Sequence, residues 1–150
     1  MSKGNHHFIF QPGIWLGEGK VKLSISDEEL RFFTRWNVKK EKKAVKIPGF
    51  QEIEIKGIPE KMCNYFSFYN FGDHDFKVKL ENQNIGEVIG EGIIRKDTIA
   101  WEFRLNDIGF EGFEFYKLQE DGSYFMHAEY VTQDEYRTVI QGKIWKKSSS

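Results

Sequence analysis

The residues able to do chemistry gather in the second half of the chain. Glu102, Arg104, Glu114, His127, Glu129 and Arg137 are acids and bases at strand-like spacing. Glu102 shares a face with Arg104, and His127 shares one with Glu129, because residues two apart along an extended strand project the same way. Opposite Glu102 lie Ile99, Trp101, Phe103 and Leu105, so the charges are expected on the outside, as a cross-strand ladder without chemistry. Turned inward, the same groups would clamp an anionic ligand, and Glu102, Glu114, His127 or Glu129 could serve as the acid or base of an isomerase-like or cyclase-like barrel enzyme. His6 and His7 stand near the N-terminus, and His74 lies between Asp73 and Asp75. Their spacing does not make a ligand set, so no metal is expected. Cys63 is the single cysteine, with no patterned base beside it. Nucleophile-elbow, phosphate-loop and zinc-helix motifs are absent, and binding is favoured over catalysis.

The elements that must position these groups are short and repetitive. Trp15, Gly17, Gly19, Val21, Leu23 and Ile25 alternate with Glu18, Lys20, Lys22 and Ser24, which predicts a first strand. After a turn at Ser26 to Glu29, a second strand carries Leu30, Phe32, Thr34, Trp36 and Val38 on one face. The charge run 39–43 and the stretch 44–48 form a connection without pattern, read as a surface loop. Further strands are predicted over 50–56, 64–71, 75–80, 86–95, 98–105, 110–118, 124–131 and 136–145, separated by turn clusters such as Glu120-Asp121-Gly122. With no helices between them, these strands suit antiparallel hairpins, since a parallel crossover needs a dozen or more residues.

The expected fold is therefore all-β, an antiparallel up-and-down β-barrel of about 8–10 strands, with a two-sheet sandwich as the alternative. The 150 residues form one domain, with flexible tails expected over 1–8 and 146–150. A barrel of about ten strands is wider than one its side chains just fill. Trp15, Phe32, Trp36, Trp101, Phe103, Tyr124, Met126 and Tyr130 are expected to line a cavity in it. A net charge of -1 argues against nucleic acid as a partner. No apolar run reaches the length of a membrane span, and the lone cysteine with no leader-like run points to the cytoplasm.

The segment Gly13-Ile14-Trp15-Leu16-Gly17-Glu18-Gly19, at the head of the first strand, resembles the opening of the calycin barrels. This group contains the lipocalins, the fatty-acid-binding proteins and the nitrobindin-like proteins. The resemblance implies that Trp15 packs across the closed barrel end against a basic side chain from near the C-terminus, with Arg137, Lys143 and Lys146 as candidates. Fatty-acid-binding proteins insert a helical pair after the first strand, whereas only Asp27 to Glu29 stand there in this chain. Their Arg-x-Tyr carboxylate clamp is replaced by Arg137-Thr138-Val139. Nitrobindin-like proteins hold haem through a histidine in the C-terminal part of the barrel, a place where this chain has His127; otherwise no cofactor is expected. The function implied is a small intracellular protein holding an apolar or amphipathic molecule in the barrel. The alternative is a filled barrel acting as an interaction module through an exterior face with Phe33, Tyr65 and Tyr69.

Overall fold

The computed structural model describes residues 6–24, 28–39, 46–104, 107–131 and 137–148. Ten strands follow one another: β1 (Gly13–Leu23), β2 (Glu29–Val38), β3 (Ile47–Ile55), β4 (Met62–Tyr69) and β5 (Asp75–Asn82), then β6 (Gly86–Ile94), β7 (Thr98–Phe103), β8 (Glu111–Leu118), β9 (Tyr124–Val131) and β10 (Arg137–Lys146). Each pairs antiparallel with the next, and β1 pairs with β10, so the sheet closes into a barrel and the sandwich alternative falls away. Closure removes every free strand edge. This is the closed antiparallel up-and-down barrel that the sequence suggests.

Alternation places the barrel walls as expected over most strands. On β2, Phe32, Thr34, Trp36 and Val38 are buried while Arg31, Phe33 and Arg35 are exposed. The first strand needs its glycines for closeness: a Cβ on Gly17 would stand 2.6 Å from Ile144 Cγ2 and 2.8 Å from Thr34 Cγ2. Any side chain at Gly17 would push β1 off both of its neighbours.

The barrel is filled at its centre by aromatic rings. Trp36 lies 4.9 Å from Phe66, Phe68 lies 5.2 Å from Trp101, and Trp101 lies 5.1 Å from Tyr116, measured between ring centroids. Such pairs add packing energy beyond the area they bury.

The two barrel ends differ. One is stoppered by the segment before β1: His6, Phe8 and Ile9 are buried there against Trp15, Trp36 and Tyr124. The expected tail over 1–8 is therefore corrected over its described part, while residues 1–5 lie outside the described residues. The expected C-terminal tail is shortened too, because Lys146 belongs to β10 opposite Trp15, and the Lys147 amide donates to the Ile14 carbonyl at 2.8 Å. At the other end, Leu23, Ile53, Ile55, Ile85, Tyr130 and Ile140 are only partly buried and pack against the core as an apolar rim.

Smaller departures follow the same logic. β3 begins at Ile47, earlier than the alternation suggested, because Ile47 and Pro48 pair with Phe68 and Ser67. β4 stops at Tyr69, since Asn70 has φ +51°, the left-handed region that breaks a strand. Ile25, the first half of the expected turn at Ser26 to Glu29, most of the charged connection, Leu105 and Tyr136 lie outside the described residues.

Candidate functional site

At mid-barrel a carboxyl group sits where none is expected. Along β8, Glu114 and Tyr116 point into the barrel, and Phe113 and Phe115 point out. Glu114 is opposite Trp101 on β7 and opposite Ala128 on β9. The Trp101 indole Nε1–H donates to Glu114 Oε2 at 3.2 Å, and the Tyr116 hydroxyl donates to Oε1 at 2.6 Å. The Tyr130 hydroxyl donates to Oε2 as well.

Tyr130 reaches Glu114 because the opposing residue is Gly112. A Cβ there would stand 2.8 Å from Tyr130 Cε1 and closer still to Cδ1, so the missing side chain is the space in which the phenol ring lies. A glycine inside a strand marks this kind of close approach. Phe110, stacked on Tyr130 at 5.1 Å, holds the ring from the loop side.

Burial pushes the Glu114 carboxyl above its usual range, and the hydrogen bonds from Tyr116, Tyr130 and Trp101 only partly offset that. Burial, followed by the Glu114 charge, also raises both tyrosine hydroxyls well above theirs. Among the described residues no salt bridge reaches Glu114. Three donors converge on a carboxyl that has no cation to neutralise it, an arrangement that costs the fold energy and is a mark of functional sites.

The opposite wall is polar and neutral. Gln51 Nε2 donates to the Thr34 hydroxyl at 3.2 Å, Asn64 Nδ2 to Gln51 Oε1 at 3.0 Å, and Asn82 Nδ2 to Asn64 Oδ1 at 2.9 Å. This row crosses β2 to β5. The apolar rings of Phe66 and Phe103 belong to the interior between the two polar walls.

The remaining acids and bases lie on the outer surface. Arg104 pairs with Glu102 at 3.0 Å, and Glu129 pairs with His127 at 3.1 Å and with Arg137 at 3.6 Å. His127 Nδ1 accepts from the Gln141 side-chain amide at 3.0 Å, and its ring stacks on Phe113 and Phe115. The ladder expected from the sequence is thus present without Glu114, which the alternation had not distinguished from its neighbours. A recess of about 640 Å³ opens by this surface, with Ile93, Ala100, Arg104 and Phe113 in its walls and Trp101 and Glu114 also among its lining residues.

The residues expected to line a cavity all face inward, but at different depths. Trp15, Trp36 and Tyr124 lie under the N-terminal stopper. Trp101 is at mid-barrel, and Phe32, Phe103 and Tyr130 are toward the rim; Met126 is buried between Tyr116 and Gly142 in register. Of the basic partners suggested for Trp15, Lys146 is in register with it, yet its side chain runs toward Gly13, where a Cβ would stand 3.1 Å from Lys146 Cε. The rings against Trp15 are Phe8 and Tyr124. Gln51 and Asn64 were not singled out from the sequence, since an amide alternating with apolar residues looks like ordinary strand surface. No group of three or more His, Cys, Asp or Glu gathers among the described residues. No helix among them is long and apolar enough to cross a membrane.

Fold and site together define a closed ten-stranded antiparallel barrel with a buried acidic centre. No family model matches the chain, and no curated protein matches it. Among solved structures it is similar to the S-type phycobiliprotein lyase CPES from Guillardia theta, with a TM-score of 0.69 and 10% sequence identity over 93% of this chain and 90% of that one. At that identity the likeness is one of fold.

Proposed function

We propose that the chain binds an amphipathic small molecule in the rim half of its barrel, with Glu114 receiving a hydrogen-bond donor or cationic group of that molecule. The observation that carries this reading is the buried Glu114 carboxyl, already bonded by Trp101, Tyr116 and Tyr130 but lacking any positive charge. A ligand N–H or cation would supply the missing charge complement in a low-dielectric site, where it counts for most. Tyr130 is the cluster member that is only partly buried, and it stands on the side of the partly buried rim of Leu23, Ile53, Ile55 and Ile140, while Glu114 and Trp101 are also among the residues lining the recess of about 640 Å³. An apolar rim above a few convergent polar groups is the usual build of a ligand site. The lyase whose fold this chain shares gives the reading a precedent in a barrel of the same shape.

The ligand is read as organic rather than as haem held through His127, because the His127 ring lies on the outer surface against Phe113 and Phe115. The lone Cys63 agrees with a reducing, cytoplasmic setting. A second reading, an interaction module, draws on the exterior rings of Phe33 and Tyr65, exposed to 50% and 57%.

The test is saturable binding of an environment-sensitive apolar amine dye at about one per chain. Glu114→Gln and Phe103→Ala should weaken it, and Glu102→Ala on the outer face should not. Equal binding by all three variants would place the dye outside the barrel and move the interaction module to the front.

A further inference from the structure

The stoppered end holds a second feature, separate from Glu114. The Phe8 ring is enclosed by four aromatic rings: Trp15 at 5.2 Å, Trp36 at 5.4 Å, Tyr116 at 4.8 Å and Tyr124 at 5.7 Å between centroids. Both tryptophans are fully buried, stand opposite each other on β1 and β2, and meet the Phe8 ring edge-on. Among the described residues, their indole Nε1–H groups have no hydrogen-bond partner. Buried donors are nearly always satisfied, and two orphans on one register pair beside one ring need an explanation.

The segment that inserts Phe8 is itself under tension. Ile9, next along the chain, has φ +62°, a conformation that a β-branched residue adopts only at a cost. Polar contacts of His6, and of the His7 and Phe8 backbone with Tyr124, help to retain it. The His6 Nε2–H donates to the Arg95 carbonyl at 2.7 Å, and the Tyr124 hydroxyl donates to His6 Nδ1 at 2.7 Å. A stopper that strains its own backbone and leaves two donors unpaired fits the cage less well than an occupant bearing an acceptor would.

We infer that the Trp15, Trp36, Tyr116 and Tyr124 cage is a ligand site whose built-in occupant is Phe8, and that its external ligand is a neutral single-ring aromatic compound carrying a carbonyl group. The ring size follows from what Phe8 vacates, a space of the order of the ~150 Å³ that holds a benzene molecule. The carbonyl follows from the two indole donors. Neutrality follows because Glu114 is bonded to Tyr116 just beyond the cage, so a carboxylate would be buried beside another acid.

The experiment compares acetophenone with α-methylstyrene, which has nearly the same shape but a methylene in place of the carbonyl oxygen. Each is titrated into the wild-type chain, Phe8→Ala and the milder Phe8→Leu, with folding confirmed by near-ultraviolet circular dichroism. Binding is read from the Trp15 and Trp36 indole N–H resonances. The folded Phe8→Ala chain should bind acetophenone at one per chain, shift both indole resonances downfield, and prefer it to α-methylstyrene by about tenfold, the ratio one net hydrogen bond confers, and Phe8→Leu should keep that preference with weaker binding because its side chain still fills part of the space. The wild-type chain should show the same preference with weaker binding, because Phe8 must first leave. Equal or tighter binding of α-methylstyrene, binding without the indole shifts, or no binding to any folded variant would each overturn the inference. The Glu114 reading is tested by other variants at the other end of the barrel, so the two can fail separately.

Discussion

Two clusters, each gathered on a glutamate, sit on neighbouring strands and have opposite fates. On β8 and β9, Glu114 with Tyr116 and Tyr130 lies inside the barrel, and His127 with Glu129 lies outside, in reach of Arg137 from β10. The outer cluster pairs charge with charge beside water, where each pair is worth little. The inner one gathers neutral donors around an acid removed from water, where a missing partner is expensive. One residue of offset along a strand decides which, because alternate side chains project to opposite faces.

The strongest way to break this contrast is Glu114→Ala. It strands three buried donors at once and should lower stability by more than about 3 kcal/mol in denaturant unfolding. A loss below 1 kcal/mol would mean that water reaches the cluster freely. Gly112→Ala is the next test, and it leaves every polar group in place. Its Cβ would overlap the Tyr130 ring, and the overpacking should cost about 1 to 3 kcal/mol while Tyr130 separates from Glu114. An unchanged Tyr130 environment in the spectrum of that variant would disprove the close fit.

Sensitivity to pH sharpens the comparison further. Burial raises the folded-state value of Glu114 above the unfolded value of 4.5. Below that unfolded value the carboxyl is protonated in both states and carries no penalty. As pH rises past it, the unfolded chain releases the proton first, so stability falls until the pH passes the folded value, and then levels off. Glu114→Gln removes this dependence, so the variant should gain on the wild-type chain as pH rises from about 4.5. A difference that stays flat, measured by unfolding from pH 4 to 9, would show an unshifted carboxyl. The smallest effect belongs to the outer cluster: Arg137→Ala, at a side chain 61% exposed, should change stability by less than about 0.5 kcal/mol, and by less still in high salt.

Much of the wall was legible because closure needs only a simple pattern. On β2, a run of large apolar residues at every second position can bury one face only, so Phe32 and Trp36 had to face inward. On β1, Gly17 keeps the phase of Trp15 and Val21, and its missing Cβ leaves room for Ile144. β8 was different. Its two faces read Gly112, Glu114 and Tyr116 against Phe113 and Phe115, and by residue type alone the second face is the more apolar. Alternation reports that a strand has two faces, not which of them the core takes.

The sequence by itself therefore determined the all-β class, a count of about 8–10 strands along the chain and the inward set on the cleanly alternating ones, because these depend on residues near one another along the chain. Only the tertiary structure decided that Glu114 is inside, that Gln51 and Asn64 join a polar row across four strands, and that His6, Phe8 and Ile9 stopper one end. Those outcomes depend on which distant residues meet. Trp101, Ala128 and Gly112 leave room and a donor for a carboxyl, and the ring cage around Phe8 is assembled from β1, β2, β8 and β9, strands that come together only when the barrel closes.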